Sequence, residues 1–182
     1  MAKQNRKTDT LSVLTARQGA VRELIHHLNE VITLQDCLDN SRDVLKLHAW
    51  RKATRKMRYT LEIFQNQLFL ESTPLLKSAI AVTEKLQQYL GVIHDADILV
   101  PHLTSKLVEM LNPGTEFDKN GNPVVGTDLV DWQACMGLQK LCMTLKTERH
   151  LQFETLTQYY TRVQKKRIFE KLLALCQEST TS

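Results

Sequence analysis

The chain has 182 residues, 42% of them hydrophobic and 24% charged, with 24 basic against 20 acidic side chains. Roughly 70% of the unfolded surface of a chain this long is buried on folding, so it fits one domain, or at most two small ones, and needs neither a disulfide nor a metal to fold. Six glycines and four prolines are too few for an all-β fold, which needs turn residues every ~8–12 positions, and a net charge of +4 says nothing about partners until its distribution is known.

Residues 1–10 are polar and read as a disordered tail without a secretory signal, and residues 11–178 read as a single helical domain. Leu14, Val21, Leu24, Leu28, Val31 and Leu38 recur at helical spacing and predict a long first helix over 11–38. Leu38-Asp39-Asn40-Ser41 is a polar break with good cap residues. A second helix over 42–70 follows, in which Trp50, Ala53, Met57, Leu61, Phe64 and Leu68 fall within about 80° of one another on the helical wheel. Thr73 is placed to cap a third helix and Pro74 suits its first position. Leu75, Ala79, Val82, Leu86, Leu90, Ile93 and Val100 carry that helix to Pro101, where a kink or a restart is expected because proline lacks the backbone donor.

The segment 112–127 holds three of the six glycines and two of the four prolines and is the one long loop, with Asn120-Gly121 suited to turning a small hairpin. Asp118, Asn120 and Asn122 invite a calcium reading, but the glycine and the closing glutamate of a calcium-binding loop are not where they should be. Asp128 is a cap for the last helical stretch, which runs without glycine or proline from 138 to 178 and is expected to be broken or kinked. The pattern predicts an all-α fold, an antiparallel four-helix bundle of long, partly kinked helices. Cysteines 37, 135, 142 and 176 lack metal-site spacing and read as reduced thiols of a cytoplasmic protein, and no apolar run of about 18 residues suggests a membrane span.

Charge is concentrated on the second helix. Arg42, Lys46, Arg51, Lys52, Arg55, Lys56 and Arg58 face a single acid, Asp43, between residues 42 and 58. With His48 at zero on the wheel, Arg51, Lys52, Arg55, Tyr59 and Glu62 lie within about 60° of it, and Lys56 and Arg58 flank it at about 80°. The apolar face centres on the opposite side. A solvated helix face is the ordinary explanation of such charge, but a solvated face mixes signs at i, i+4, and here Arg51–Arg55 and Lys52–Lys56 are like-charged pairs that repel. An anion would relieve that repulsion. From residue 48 to 59 a helix rises about 16 Å, which suits a linear polyanion better than a small metabolite. Arginine offers a fork to phosphate oxygens and lysine a point charge. The stripe lacks base-reading side chains apart from Tyr59, so sequence-specific nucleic-acid recognition is disfavoured, while binding to a nucleic-acid backbone remains the alternative.

In Leu90-Gly91-Val92-Ile93-His94-Asp95-Ala96-Asp97 the wheel places Asp97 inside the core arc and Asp95 outside it. A carboxylate on an apolar face must be paired, and the guanidinium groups of the second helix are the expected partners. His94 with the two aspartates is a poor metal set, because positions i and i+2 do not face each other. No metal and no cofactor are expected. An enzyme of phosphate esters using His48 or His94 as acid or base ranks last, for want of a glycine-rich phosphate loop and a metal set.

LHAWRKATRKMRYTLEIF at 47–64 resembles the signature of the CHAD family, the conserved histidine α-helical domain. His48, Arg51, Arg55, Lys56, Arg58 and Tyr59 fill the family's spacing of a histidine, an arginine three on, basic residues at seven and eight and Arg-Tyr at ten and eleven. LGVIHDADIL at 90–99 resembles its second element, with His94 where arginine is usual, and VQKKRIFEKLLAL at 163–175 resembles its closing helix. The resemblance implies an all-helical, non-catalytic binder of inorganic polyphosphate. Arg51, Lys52, Arg55, Lys56 and Arg58 would contact phosphates, with His48 and Tyr59 as hydrogen-bond donors. Glu62 and Asp97 would hold the cations in place, and Lys165, Lys166 and Arg167 form a secondary basic edge. A full family domain contains two four-helix units, each with one basic helix. This chain supplies one, so the resemblance implies a homodimer or an open binding surface.

Overall fold

The computed structural model describes residues 2–67, 74–111, 116–117, 123–124 and 130–181, with side chains described over 18–63, 65, 74–111 and 130–178. Among the described residues there are five α-helices: α1 (Ala2–Thr33), α2 (Val44–Gln67), α3 (Pro74–Leu111), α4 (Trp132–Lys166) and α5 (Ile168–Thr181). Two-residue strands β1 (Glu116–Phe117) and β2 (Pro123–Val124) pair antiparallel in the α3–α4 loop, as the expected hairpin does, although its turn residues Asn120 and Gly121 lie outside the described set. Asp118, Asn122, Leu68, Thr73 and Asp128 also lie outside it. The all-α expectation holds, and among the described residues no helix is long and apolar enough to cross a membrane.

Several boundaries differ from expectation. The backbone is helical from Ala2, through the tail expected to be disordered, because nothing before Gly19 breaks a helix. α1 ends at Thr33 and the chain tightens into a 3-10 segment, Leu34–Asp39, before Asn40 turns extended. Asp43 then caps α2, its Oδ1 accepting from the Lys46 amide at 3.1 Å. α3 starts at Pro74 as expected, yet it does not restart at Pro101. That residue is exposed, so the ring meets solvent while the helix gives up one ladder bond there. The last helical stretch is capped by Asp131, whose Oδ1 accepts from the Ala134 amide at 2.9 Å. It breaks at Arg167, which has φ 52, a left-handed conformation that ends α4 and re-aims the chain into α5.

The chain divides into two compact units: residues 1–91 with 153–182, and residues 92–152. In the first unit, Leu24, Leu28 and Val31 of α1 bury against the apolar face of α2, where Trp50, Ala53, Met57 and Leu61 are fully buried. Trp50 Nε1 donates to the Val31 carbonyl at 3.0 Å, so the indole brings no unpaired donor into the core. Its ring meets Tyr160 edge-on at 5.0 Å, and the Tyr160 hydroxyl donates to Gln35 Oε1 at 3.1 Å. Phe169 and Leu172 close this core from α5. The second unit consists of the later half of α3, the earlier half of α4 and the hairpin between them. Ile93, Ala96, Cys135 and Cys142 are its buried apolar side chains among the described residues, while Trp132, Met136, Met143 and Leu151 stay exposed. All four cysteines are free and buried, and burial pushes the Cys37 thiol up to about 12 and the Cys176 thiol up to about 11.

Candidate functional site

α2 presents two opposite faces because its sequence alternates them at helical period. Trp50, Ala53, Met57 and Leu61 seal one face in the first unit's core, which turns Lys52, Arg55, Lys56 and Tyr59 out to solvent. Arg51, Arg58 and His48 flank that row half-buried, and His48 Nε2 is a buried atom. The wheel's stripe is thus a real surface, with His48 set deeper than the rest.

The cations differ in how they are held. Lys46 Nζ donates to Asp36 Oδ2 at 2.8 Å, and this bond raises the Lys46 pKa. Arg58 Nε stands 3.2 Å from Glu62 Oε1 one turn on, and its guanidinium lies 5.2 Å from the centre of the Tyr59 ring. It also borders a polar groove of about 500 Å³ with Glu84, Gln87 and Gln88 of α3. Lys56 Nζ reaches to 4.0 Å from Glu30 Oε2 of α1, a carboxylate that sequence reasoning did not connect to the stripe. Arg51, Lys52 and Arg55 make no ion pair among the described residues. They form the centre of the row, and they are the members of the two like-charged pairs, save Lys56.

Asp97 is placed differently from expectation. Its side chain is 5% exposed, as the core arc requires, whereas that of Asp95 is 70% exposed. But Asp97 belongs to the second unit, and its ion-pair partner there is Arg149 of α4, whose Nε donates to Asp97 Oδ1. The observed partner is thus a guanidinium of α4, where the expectation named those of α2. No signal in a single sequence links positions 52 residues apart on two helices. His94 Nδ1 lies 3.2 Å from Asp95 Oδ1, so these two pair with each other and do not converge with Asp97 on a metal.

Part of the expected secondary edge lines a groove. Lys165 and Lys166 line a groove of about 630 Å³ in the first unit together with Lys171, Ser78 and Pro74. Arg167 does not line it, and Lys171, one turn into α5, takes the third place.

A model of the CHAD domain matches residues 6–104, more than half of the chain. The chain belongs to the CHAD family. The match runs from Arg6 in α1 through α2 to Thr104 in α3, and so includes both the basic helix and LGVIHDADIL. The likeness of 163–175 to the family's closing helix lies outside it. CHAD domains are in general binding domains and are associated with polyphosphate. No curated protein and no solved structure matches the chain.

Proposed function

We propose that this CHAD protein binds inorganic polyphosphate along the outer face of α2 and does not catalyse its turnover. The observation that carries the reading is the row Arg51, Lys52 and Arg55, uncompensated among the described residues and backed by a sealed core. Like charges one turn apart destabilise the free helix, and a polyanion removes that cost on binding. Lys56 and Arg58 flank the row, each with a carboxylate that steadies it. His48 and Tyr59 supply hydrogen-bond donors, and Lys165 and Lys166 a second edge of cations.

Because each neutralised phosphate releases counterion, binding to long chains should be tight at low salt and fall steeply as salt rises, while orthophosphate binds weakly. Arg51→Ala/Arg55→Ala should weaken binding by several kcal/mol, since a hydrogen bond to a charged group contributes about 1.5–3 kcal/mol. Calorimetry on parent and double variant tests this, and equal affinities would sink the assignment. RNA included as a competitor separates polyphosphate from the alternative ligand, a sugar-phosphate backbone. Polyphosphate should displace RNA readily, and recovered chains should be unshortened.

A finer proposal concerns assembly. CHAD domains with two basic helices form a channel, and this chain supplies one such helix. A twofold dimer with the α2 faces opposed would complete the arrangement. Two opposed cationic rows repel, so the dimer should be weak alone and tighten when short polyphosphate is added, because the ligand binds the assembled state. Light scattering with and without the ligand decides it. A monomer in both conditions at high protein concentration leaves the open-surface mode.

A further inference from the structure

The sequence reading expected no metal, yet α1 brings a ligand set together. In Glu23-Leu24-Ile25-His26-His27-Leu28-Asn29-Glu30, Glu30 lies four residues after His26 and three after His27, so all three project from one side of the helix. One ligand atom from each of His26, His27 and Glu30 falls within 4.8 Å of the others. His27 Nδ1 and Glu30 Oε2 are buried atoms without a hydrogen-bond partner among the described residues, and they stand 3.6 Å apart. That separation is too long for a hydrogen bond. It is close to the ~3.4 Å between two donors bound at about 2.1 Å to one tetrahedral ion. The other ring nitrogen, His27 Nε2, is 3.7 Å from Glu23 Oε2. A carboxylate on the far side of an imidazole is the usual device for orienting a metal-bound histidine.

We propose that His26, His27 and Glu30 bind a divalent transition ion of the zinc class, with Glu23 orienting His27. Two imidazoles and one carboxylate suit zinc, whereas calcium and magnesium favour all-oxygen sets. His26 is exposed, and its ring lies 5.3 Å from that of His27. Lys56, 4.0 Å from Glu30 Oε2, competes with the ion for that carboxylate. The proposal does not depend on polyphosphate binding.

The test is a zinc titration of chelator-treated protein by calorimetry in phosphate-free buffer, with cobalt(II) absorption to report the ligand type. One equivalent should bind, and the cobalt complex should lack thiolate charge-transfer absorption. His26→Ala and Glu30→Gln should each weaken zinc binding by more than about tenfold, and Glu23→Gln by about tenfold or more, the range seen for outer-shell partners. Lys56→Met should strengthen it severalfold by removing the competitor. Circular dichroism verifies that each variant is folded. Failure to bind one equivalent, unchanged affinity in both His26→Ala and Glu30→Gln, or a thiolate band from the cysteines would each overturn the site.

Discussion

Asp95 and Asp97 sit two residues apart on α3 and differ in what surrounds them. Asp95 is solvated and, among the described residues, paired only with its neighbour His94, a surface contact that contributes at most about 1 kcal/mol. Asp97 is withdrawn from water and answers the Arg149 guanidinium, itself 18% exposed. Removing one member of such a buried pair strands the charge of the other, at a cost of about 3–5 kcal/mol. Asp97→Asn should therefore lower Tm by roughly 10 °C, at about 2–4 °C per kcal/mol for a chain of this size, and Asp95→Asn should leave it nearly unchanged. Equal melting temperatures would show that the Arg149 contact carries no stability. On the proposed reading, with polyphosphate bound along α2, neither change should alter polyphosphate affinity, which separates this carboxylate's structural role from the support expected of it.

At the scale of the element, α2 is under conflicting demands. A helix selected only to fold would place acids among Arg51, Lys52, Arg55 and Lys56. Lys52→Glu does so with the favourable orientation, an acid four residues before Lys56. It removes one repulsion and adds one attraction, worth about 0.5–1 kcal/mol together. The variant should melt a few degrees higher and bind polyphosphate more weakly. A lower melting point would mean that the row is not strained. The two faces of α2 were legible in the sequence because helical period alone fixes them, and so was the Arg58–Glu62 pair, which needs only i, i+4 spacing. What escaped the sequence depends on contacts between helices: Glu30 reaching Lys56, Arg149 meeting Asp97, and Lys171 joining Lys165 and Lys166. The run of α3 through Pro101 escaped for a different reason, since proline removes one backbone donor and so marks a possible helix end, while the helix here continues past an exposed ring. His26, His27 and Glu30 were readable as spacing, but which nitrogen faces which carboxylate is not a property of spacing.

On the scale of the whole molecule, the division into two units sets where stability resides. The first unit holds Trp50, Tyr160, Phe169 and the fully buried leucines of α1 and α2. The second holds four buried apolar side chains among its described residues, two of them cysteines and one an alanine, and leaves Trp132, Met136 and Met143 in water. Burial contributes roughly 25 cal/mol per Å², so so thin a core stabilises its helices far less. Backbone amides record this directly, because each exchanges its proton with solvent only when its hydrogen bond opens. Amides of α3 after Val92 and of α4 before Gln152 should exchange through local openings well below the global unfolding free energy, while those around Trp50 and Leu61 should exchange only with it. Uniform protection along α3 would mean that the chain opens as one piece. With the expected gradient, a single α3 helix of 38 residues would be slow to exchange at one end and fast at the other, and the polyphosphate face would rest on the slow part.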